Sequence, residues 1–295
     1  MADLLQRRVE NAPGAFYVDA SCIDCDACRA MSPMYEDIGD QSAVVRQPVS
    51  EAEKLEAYQA LLTCPTASIG CTEKLNPAFV KKALASFPMP LAGEVSFCGF
   101  TSEHSFGATA YFIQRPGGNV LVDSPRFAAP LVKQIEKLGG IRWLFLTHQD
   151  DVADHAKWAE RFGCTRILHA DDVHAGTRAV EMKPASDQAF DLAPDLTVIP
   201  TPGHTQGSMV LLYRGAEESF LFGGDHIAWS HTRGHLYGFK TACWYSWDEV
   251  VRSLQKLAAY DFHWVLPGHG RRFHGSVDEA RASLLRGIQW AGAKA

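Results

Sequence analysis

The chain has 295 residues, which suits one large domain or two unequal ones. Apolar residues make up 46% and charged residues 21%, near globular averages, so disordered, collagen-like and coiled-coil architectures are excluded. With 28 basic and 34 acidic residues the net charge is −6, against a nucleic-acid surface, and no apolar run reaches the roughly 20 residues that cross a bilayer.

The N-terminus, Met-Ala-Asp-Leu-Leu-Gln-Arg-Arg, leads into no apolar signal core, so a cytoplasmic location is expected. Phe16-Tyr17-Val18 reads as a short strand and Cys22 to Cys28 as a tight loop. Ser50 to Leu62 reads as a helix, with Ser50 and Glu53 in capping-box spacing and Leu55, Tyr58, Leu61 and Leu62 on one stripe. Residues 76–93 read as a linker carrying one short helix, Pro77 to Phe87, capped by Asn76. Strands follow at 94–100, 108–114 and 119–123, then a helix at 129–138 and a buried strand at 141–147. A helix is expected at 151–162 and strands at 166–169, 196–201, 208–213 and 219–222. The chain closes with a helix at 247–259, a strand at 264–266 and a helix at 277–290, the texture of a layered α/β domain.

Two chemistries are segregated along this order. Five of the eight cysteines (22, 25, 28, 64 and 71) come early, and all 12 histidines come after residue 100. Clustered cysteines in a reducing compartment point to metal or redox chemistry rather than disulfides. Cys22, Cys25 and Cys28, at C-x2-C-x2-C spacing, can wrap one face of an iron–sulfur cube that Cys64, followed by Pro65, closes from a distance. A structural zinc would favour paired C-x2-C knuckles and gains nothing from a third cysteine in tandem. Cys71 is an alternative ligand or a packed thiol; Cys98, Cys164 and Cys243 read as inert. The pattern resembles single-cluster bacterial-type ferredoxins, which implies a [4Fe-4S] cluster.

In the second region, four loops each place His or Asp where a strand ends: Thr147 to His155, Thr201 to Ser208, Phe222 to Asp225, and Leu266 to Gly270. Their order resembles the metallo-β-lactamase fold superfamily, with P-G-H-T-x-G-S, G-D and P-G-H-G intact. The resemblance implies an αβ/βα sandwich with a dimetal site at one sheet edge, His204 and His269 as metal ligands, and Asp225 as the bridging carboxylate. The first loop departs from the family's T-H-x-H-x-D-H: His148 stands, but Asp150 replaces the second His, and an ungapped reading puts Asp-His on Val152-Ala153. His148 and Asp150 share a face if the strand's alternation continues, and Asp151, Asp154 and His155 share one if a helix starts at 151. Asp151 as a helix cap and His155 as an ordinary exposed residue are the alternatives.

A carboxylate in place of imidazole makes the site harder, favouring iron or manganese somewhat over zinc. The flavodiiron branch resembles the chain there, using H-x-E-x-D. The expected chemistry is attack on an ester, thioester or lactone by hydroxide held between one or two divalent ions, with Asp150 or Asp154 orienting it. His231 and His235 are candidate donors to a leaving group or plain surface residues; His169 reads as a packing residue, and His226, His263 and His274 carry no signal. Trp244-Tyr245-Ser246-Trp247 reads as a pocket wall or an aromatic core cluster. Only 26 residues follow His269 and only 21 separate His204 from Asp225, against glyoxalase-II-like and nuclease branches respectively.

The reading is therefore an α+β two-domain protein. A ferredoxin-like domain at 1–75 and a linker at 76–93 precede a metallo-β-lactamase sandwich at 94–295. A hydrolase of a small-molecule substrate ranks first. The alternatives are a redox enzyme whose cluster feeds a diiron site, served by a redox partner protein, and a metal-free electron-transfer or binding protein. Neither nucleic acid nor membrane is expected as a partner.

Overall fold

The computed structural model describes residues 2–293; residue 1 and residues 294–295, the outer ends of the two predicted domains, lie outside the described residues. The N-terminal module pairs β1 (Phe16–Val18) with β4 (Ile69–Cys71) and adds a hairpin of β2 (Tyr35–Asp37) and β3 (Ser42–Val44). Helix α1 (Glu51–Thr63) starts at the expected capping box, in which the Ser50 hydroxyl accepts from Glu53 N and the Glu53 carboxylate accepts from Ser50 N. Phe16, Val18, Tyr35, Ala57 and Tyr58 form a separate core beneath α1, joined by Phe79 and Val80 of α2 (Pro77–Ala85).

The stretch expected as linker is more ordered than a connector. Asn76 caps α2 as expected, and β5 (Met89–Ala92) then adds to the edge of the first large sheet by pairing with β6 (Val95–Phe97). Pro90 is compatible with a strand only at such an edge, where its missing N–H faces away from the ladder.

That sheet continues through β7 (Tyr111–Ile113) and β8 (Val120–Val122); after α3 (Ala129–Lys137) comes β9 (Trp143–Phe145), and after α4 (His155–Phe162) comes β10 (Thr165–Ile167). The second sheet contains β11 (Phe190–Ala193), β12 (Leu196–Pro200), β13 (Met209–Arg214) and β14 (Ser219–Gly224). A hairpin of β15 (Ala228–Ser230) and β16 (His235–Tyr237) and helix α5 (Trp247–Leu257) precede its last strands, β17 (Trp264–Pro267) and β18 (Phe273–His274); α6 (Val277–Gly292) ends the chain.

Strand alternation builds three layers of core. Met209, Leu211 and Tyr213 of β13 face Val120 and Val122 of β8 between the sheets. Val210 and Leu212 point the other way, towards Val250 and Leu254 of α5 and Leu284 of α6. Leu121 of β8 faces Leu131 and Ile135 of α3 and Trp158 of α4. The result is the expected αβ/βα sandwich. Strands β8, β9 and β10 run parallel, as do β14 and β17, so loops leaving their C-terminal ends converge on one rim. No helix among the described residues is long and apolar enough to cross a membrane.

Candidate metal centre and cluster site

Each candidate ligand is fixed by the strand it follows. His148 lies three residues beyond β9. The Thr147 hydroxyl donates to Asp123 Oδ1 at 3.0 Å and lies 3.0 Å from His148 Nδ1, so it accepts the Nδ1 proton. That leaves His148 Nε2 buried with no hydrogen-bond partner. His204, beyond β12, uses Nδ1–H on the Ala242 carbonyl, and its Nε2 is likewise buried and unpartnered. Their rings stand perpendicular with centroids 4.7 Å apart. Both Nε2 atoms lie 3.9 Å from Asp225 Oδ2, and Asp150 Oδ2 lies 3.9 Å from His148 Nε2 and 3.7 Å from His204 Nε2. Fixing one ring nitrogen by a hydrogen bond so that the other offers a lone pair is how metal-ligating imidazoles are oriented.

On the other side of Asp225, His269 beyond β17 places Nδ1 2.8 and 2.9 Å from the two carboxylate oxygens and donates from Nε2 to the Phe106 carbonyl at 3.2 Å. Asp151 completes this group, with a buried Oδ2 that has no hydrogen-bond partner. Two donor groups thus share one carboxylate: His148, His204 and Asp225, with Asp150 beside them, and Asp151, Asp225 and His269. Orphaned buried donors converging from both sides of a shared carboxylate fit two divalent cations.

The electrostatics agree with that fit. Burial pushes the His148 imidazole down to about 4, so it stays neutral and free to bind a cation. Burial alone would raise Asp225, but the facing His269, His148 and His204 hold it well below the usual carboxylate range. Asp151 moves the opposite way, raised by burial and by the Asp225 charge. His269 is lowered by burial but raised more strongly by Asp225, to about 10, so at neutral pH a proton stands where a cation would. Metal binding at this half-site should therefore release about one proton at pH 7.5, and affinity should rise by about tenfold per pH unit up to pH 9. Calorimetric titration in buffers of different ionisation enthalpy measures this; no proton release would refute the protonated pair.

The first loop corrects two sequence expectations. The helix begins at His155 rather than at 151, because residues 151–154 make a turn whose Asp154 carboxylate accepts from Phe127 N at 2.8 Å and from Lys157 at 2.7 Å. Asp154 is thereby directed away from the metal centre and is neither ligand nor water-orienting group. His155 is buried beside Arg166, its Nδ1 3.2 Å from the guanidinium, so it is neither a ligand nor an exposed helix residue. The turn brings Asp151, rather than Asp154 or His155, into the second group.

Glycines make room for this packing at two points. A Cβ on Gly268 would stand 2.8 Å from Asp151 Oδ2 and 2.9 Å from Asp225 Oδ1. One on Gly224, where φ is +48°, would meet the Thr147 hydroxyl at 2.5 Å.

Asp172 is the structural residue that the sequence reading missed. Its carboxylate accepts from Gln149 N at 3.0 Å, the Thr205 hydroxyl at 2.6 Å and Gly207 N at 2.7 Å, tying the His148 loop to the His204 loop. Elsewhere, His235 is buried, with its ring beside Trp290 of α6, and His169 caps a short turn, while His231 borders the cleft described below. The aromatic run divides: Trp244 is two-thirds exposed at the cleft, whereas Trp247 packs on Trp290 and donates to the Ala291 carbonyl.

In the N-terminal module, Cys22, Cys25, Cys28 and Cys64 surround one small cavity together with Val18 and Ile69. Asp24 and Asp26 adopt left-handed φ values of 60° and 65°, curling the loop so that its three cysteines face that cavity. Burial raises the Cys25 and Cys28 thiols to about 12, and the neighbouring cysteines add to the shift. Such a set is uncomfortable as thiolates alone and suits an iron core that neutralises them. Cys71 sits at the end of β4, outside this lining.

The two modules meet at the sites themselves. A cleft of about 1270 Å³ is lined by Asp24, Cys25 and Asp26 on one side and by Asp150, Asp225 and His269 on the other. Arg271, two residues after His269, pairs with Asp26 at 3.2 Å and donates to the Arg29 carbonyl. Thr101 donates to the Thr63 carbonyl at 2.7 Å and Arg126 to that of Leu62 at 3.0 Å.

Residues 18–71 match the family described as the 4Fe-4S single cluster domain of Ferredoxin I. Among solved structures, a metallo-beta-lactamase of Cronobacter sakazakii with a HARLDQ motif shares 19% identity at a TM-score of 0.46, covering 72% of this chain and 99% of its own. ETHE1 from Myxococcus xanthus shares 20% identity at a TM-score of 0.45, covering 65% and 84%. The uncharacterized protein YmaE of Bacillus subtilis is 32% identical over 129 residues, 42% of this chain; the match spans about half, 47%, of YmaE. Residues 106–269, more than half of the chain and carrying every residue of both donor groups, match the metallo-beta-lactamase superfamily, and the chain belongs to that superfamily, with a 4Fe-4S ferredoxin domain at its N-terminus.

Proposed function

We propose that this chain is a redox metalloenzyme in which a [4Fe-4S] cluster supplies electrons to a dinuclear centre acting on a small molecule in the cleft between the modules. One observation carries the reading: Cys25 lines the same cleft as Asp151, His204, Asp225 and His269 of the two donor groups. A cluster serving only to stabilise its own module has no need to face the metal centre. The donor set supports the same direction, since three carboxylates (Asp150, Asp151 and Asp225) share the centre with three imidazoles, an oxygen-rich environment suited to iron or manganese. When bound, such ions would polarise a substrate oxygen, acidify a shared water and exchange single electrons.

The chain's own residues then have definite tasks. His148 and His204 hold their side of the centre through buried Nε2 atoms that have no hydrogen-bond partner, and Asp225 joins the two halves. Asp150, half-exposed, faces the cleft and can hold or accept a proton at Oδ2. Trp244 and Phe106, both more than half exposed, give the substrate an apolar wall. Electrons would enter from an external one-electron donor protein.

Hydrolysis of an ester, thioester or lactone is the second reading, favoured by the intact His204, Asp225 and His269 positions, which serve metal-activated water equally well. Anaerobic purification with metal analysis and electron paramagnetic resonance (EPR), followed by turnover of a substrate panel with the cluster oxidised or dithionite-reduced, separates the two. Iron or manganese in the second site with turnover only in the reduced state is the expected result. Zinc with turnover indifferent to cluster oxidation state would overturn the redox reading in favour of hydrolysis. His204→Ala and Cys25→Ser serve as loss-of-site controls.

A further inference from the structure

The geometry points to the Phe106–Gly107 backbone as the electron bridge between the cluster and the His269 half of the metal centre, an inference that rests on the redox reading above. Three observations place this segment against both sites. First, Gly107 occupies a position where no side chain fits: a Cβ there would stand 2.5 Å from Cys25 Cβ, 2.7 Å from Cys25 Sγ and 3.1 Å from Pro65. The cluster loop thus packs directly on this backbone, at its closest cysteine, and Pro65 beside it follows the fourth ligand position, Cys64. Second, the preceding carbonyl, that of Phe106, accepts from His269 Nε2 at 3.2 Å, while Nδ1 of the same ring faces Asp225. Third, the segment is held in a demanding conformation, with φ +46° at Phe106 and +81° at Gly107. A phenylalanine in the left-handed region persists only where its surroundings over-determine it. Here the Phe106 and Gly107 amides are tied to the Glu103 and Ser102 carbonyls, and Thr109 N donates to the Gly268 carbonyl next to His269.

A continuous route results: from the Cys25 sulfur across van der Waals contact to Gly107, through one peptide to the Phe106 carbonyl, and across one hydrogen bond to the His269 ring. In the step this route carries, one electron leaves the reduced cluster, which is oxidised by one unit, and a metal ion held by Asp151, Asp225 and His269 is reduced by one unit. An external one-electron donor then restores the cluster; dithionite takes that part in the test.

The test uses the full chain, reconstituted anaerobically with its cluster and with ferric ion in the second site. In stopped flow the dithionite-reduced cluster is expected to reoxidise onto the ferric site without added substrate. Gly107→Val should push the Cys25 loop away and slow this by about tenfold or more per assembled cluster, the scale on which a displacement on the order of an ångström acts on a positioned reaction, with cluster content measured by EPR integration. Undiminished transfer in Gly107→Val with its cluster intact overturns the bridge. Should the variant fail to assemble its cluster, the wild-type chain supplies the second test: the bridge requires the two sites to be close, so manganese(II) in the second site is expected to shorten the spin relaxation of the reduced cluster relative to zinc, and identical relaxation overturns the bridge. Failure of the broader reading looks different. Transfer that depends on Gly107 without any reduction-dependent turnover would sink the redox function and leave the bridge standing, whereas reduction-dependent turnover insensitive to Gly107 would do the reverse.

Discussion

Asp225→Ala is expected to empty both halves of the metal centre while leaving the iron–sulfur cluster in place. Asp225 is common to the two donor groups, and its carboxylate faces His148, His204 and His269 at once. Partners that merely orient a ligand cost about 10–100-fold in metal affinity when lost, so removing a shared ligand should cost at least that at each half-site. Cluster cysteines Cys22, Cys25, Cys28 and Cys64 belong to a module with its own core and do not touch Asp225, so cluster absorbance should persist. Metal analysis after gel filtration is expected to give less than one second-site ion per chain with cluster iron and sulfide unchanged, and turnover reduced by about a hundredfold or more. Retention of two ions would show that Asp225 does not bridge.

The intact loops were legible because their chemistry is local. Pro-Gly-His and Gly-Asp place a ligand beside a glycine, and the structure gives the reason: a side chain at Gly268 would collide with Asp151 and Asp225, and one at Gly224 with Thr147, which orients His148. The cysteine spacing was legible for a similar reason: three thiols two residues apart have few geometries available.

What was not legible depends on contacts from distant parts of the chain. The 151–154 turn exists because Phe127 N reaches Asp154, a partner 27 residues away, and local helix spacing alone favoured bringing Asp154 and His155 inward instead. Strands β2, β3, β15 and β16 lack the continuous apolar runs that mark the equally short β7, β8 and β9, and β5 hid behind two prolines. The meeting of the modules is also long-range. Nothing in the sequence near Cys25 announces Gly107, and nothing near Phe106 announces His269, yet these contacts put the cluster and the metal centre on one cleft.

Asp172 is the strongest instance of such hidden dependence, and Asp172→Ala carries the largest expected stability effect. The carboxylate is buried and accepts three hydrogen bonds, two from backbone amides and one from a hydroxyl, all from the two loops that present His148 and His204. Removing it leaves the amides of Gln149 and Gly207 without an acceptor in a place water reaches poorly. Hydrogen bonds to a charged group contribute about 1.5–3 kcal/mol each, and they are not additive, so a loss of about 3–5 kcal/mol is expected in chemical denaturation. Asp172→Asn keeps one acceptor oxygen but offers an amide to donors on its other side, so it should recover only part of this. The first metal half-site should suffer alongside stability, since His148 and His204 then lose their common anchor, while the His269 half-site, which takes only Asp151 from the anchored loops and Asp225 and His269 from the ends of β14 and β17, should be affected less. Denaturant unfolding with metal analysis of the surviving folded protein measures both; a loss below about 1 kcal/mol would mean that the loops are held by strand packing alone and that Asp172 is dispensable.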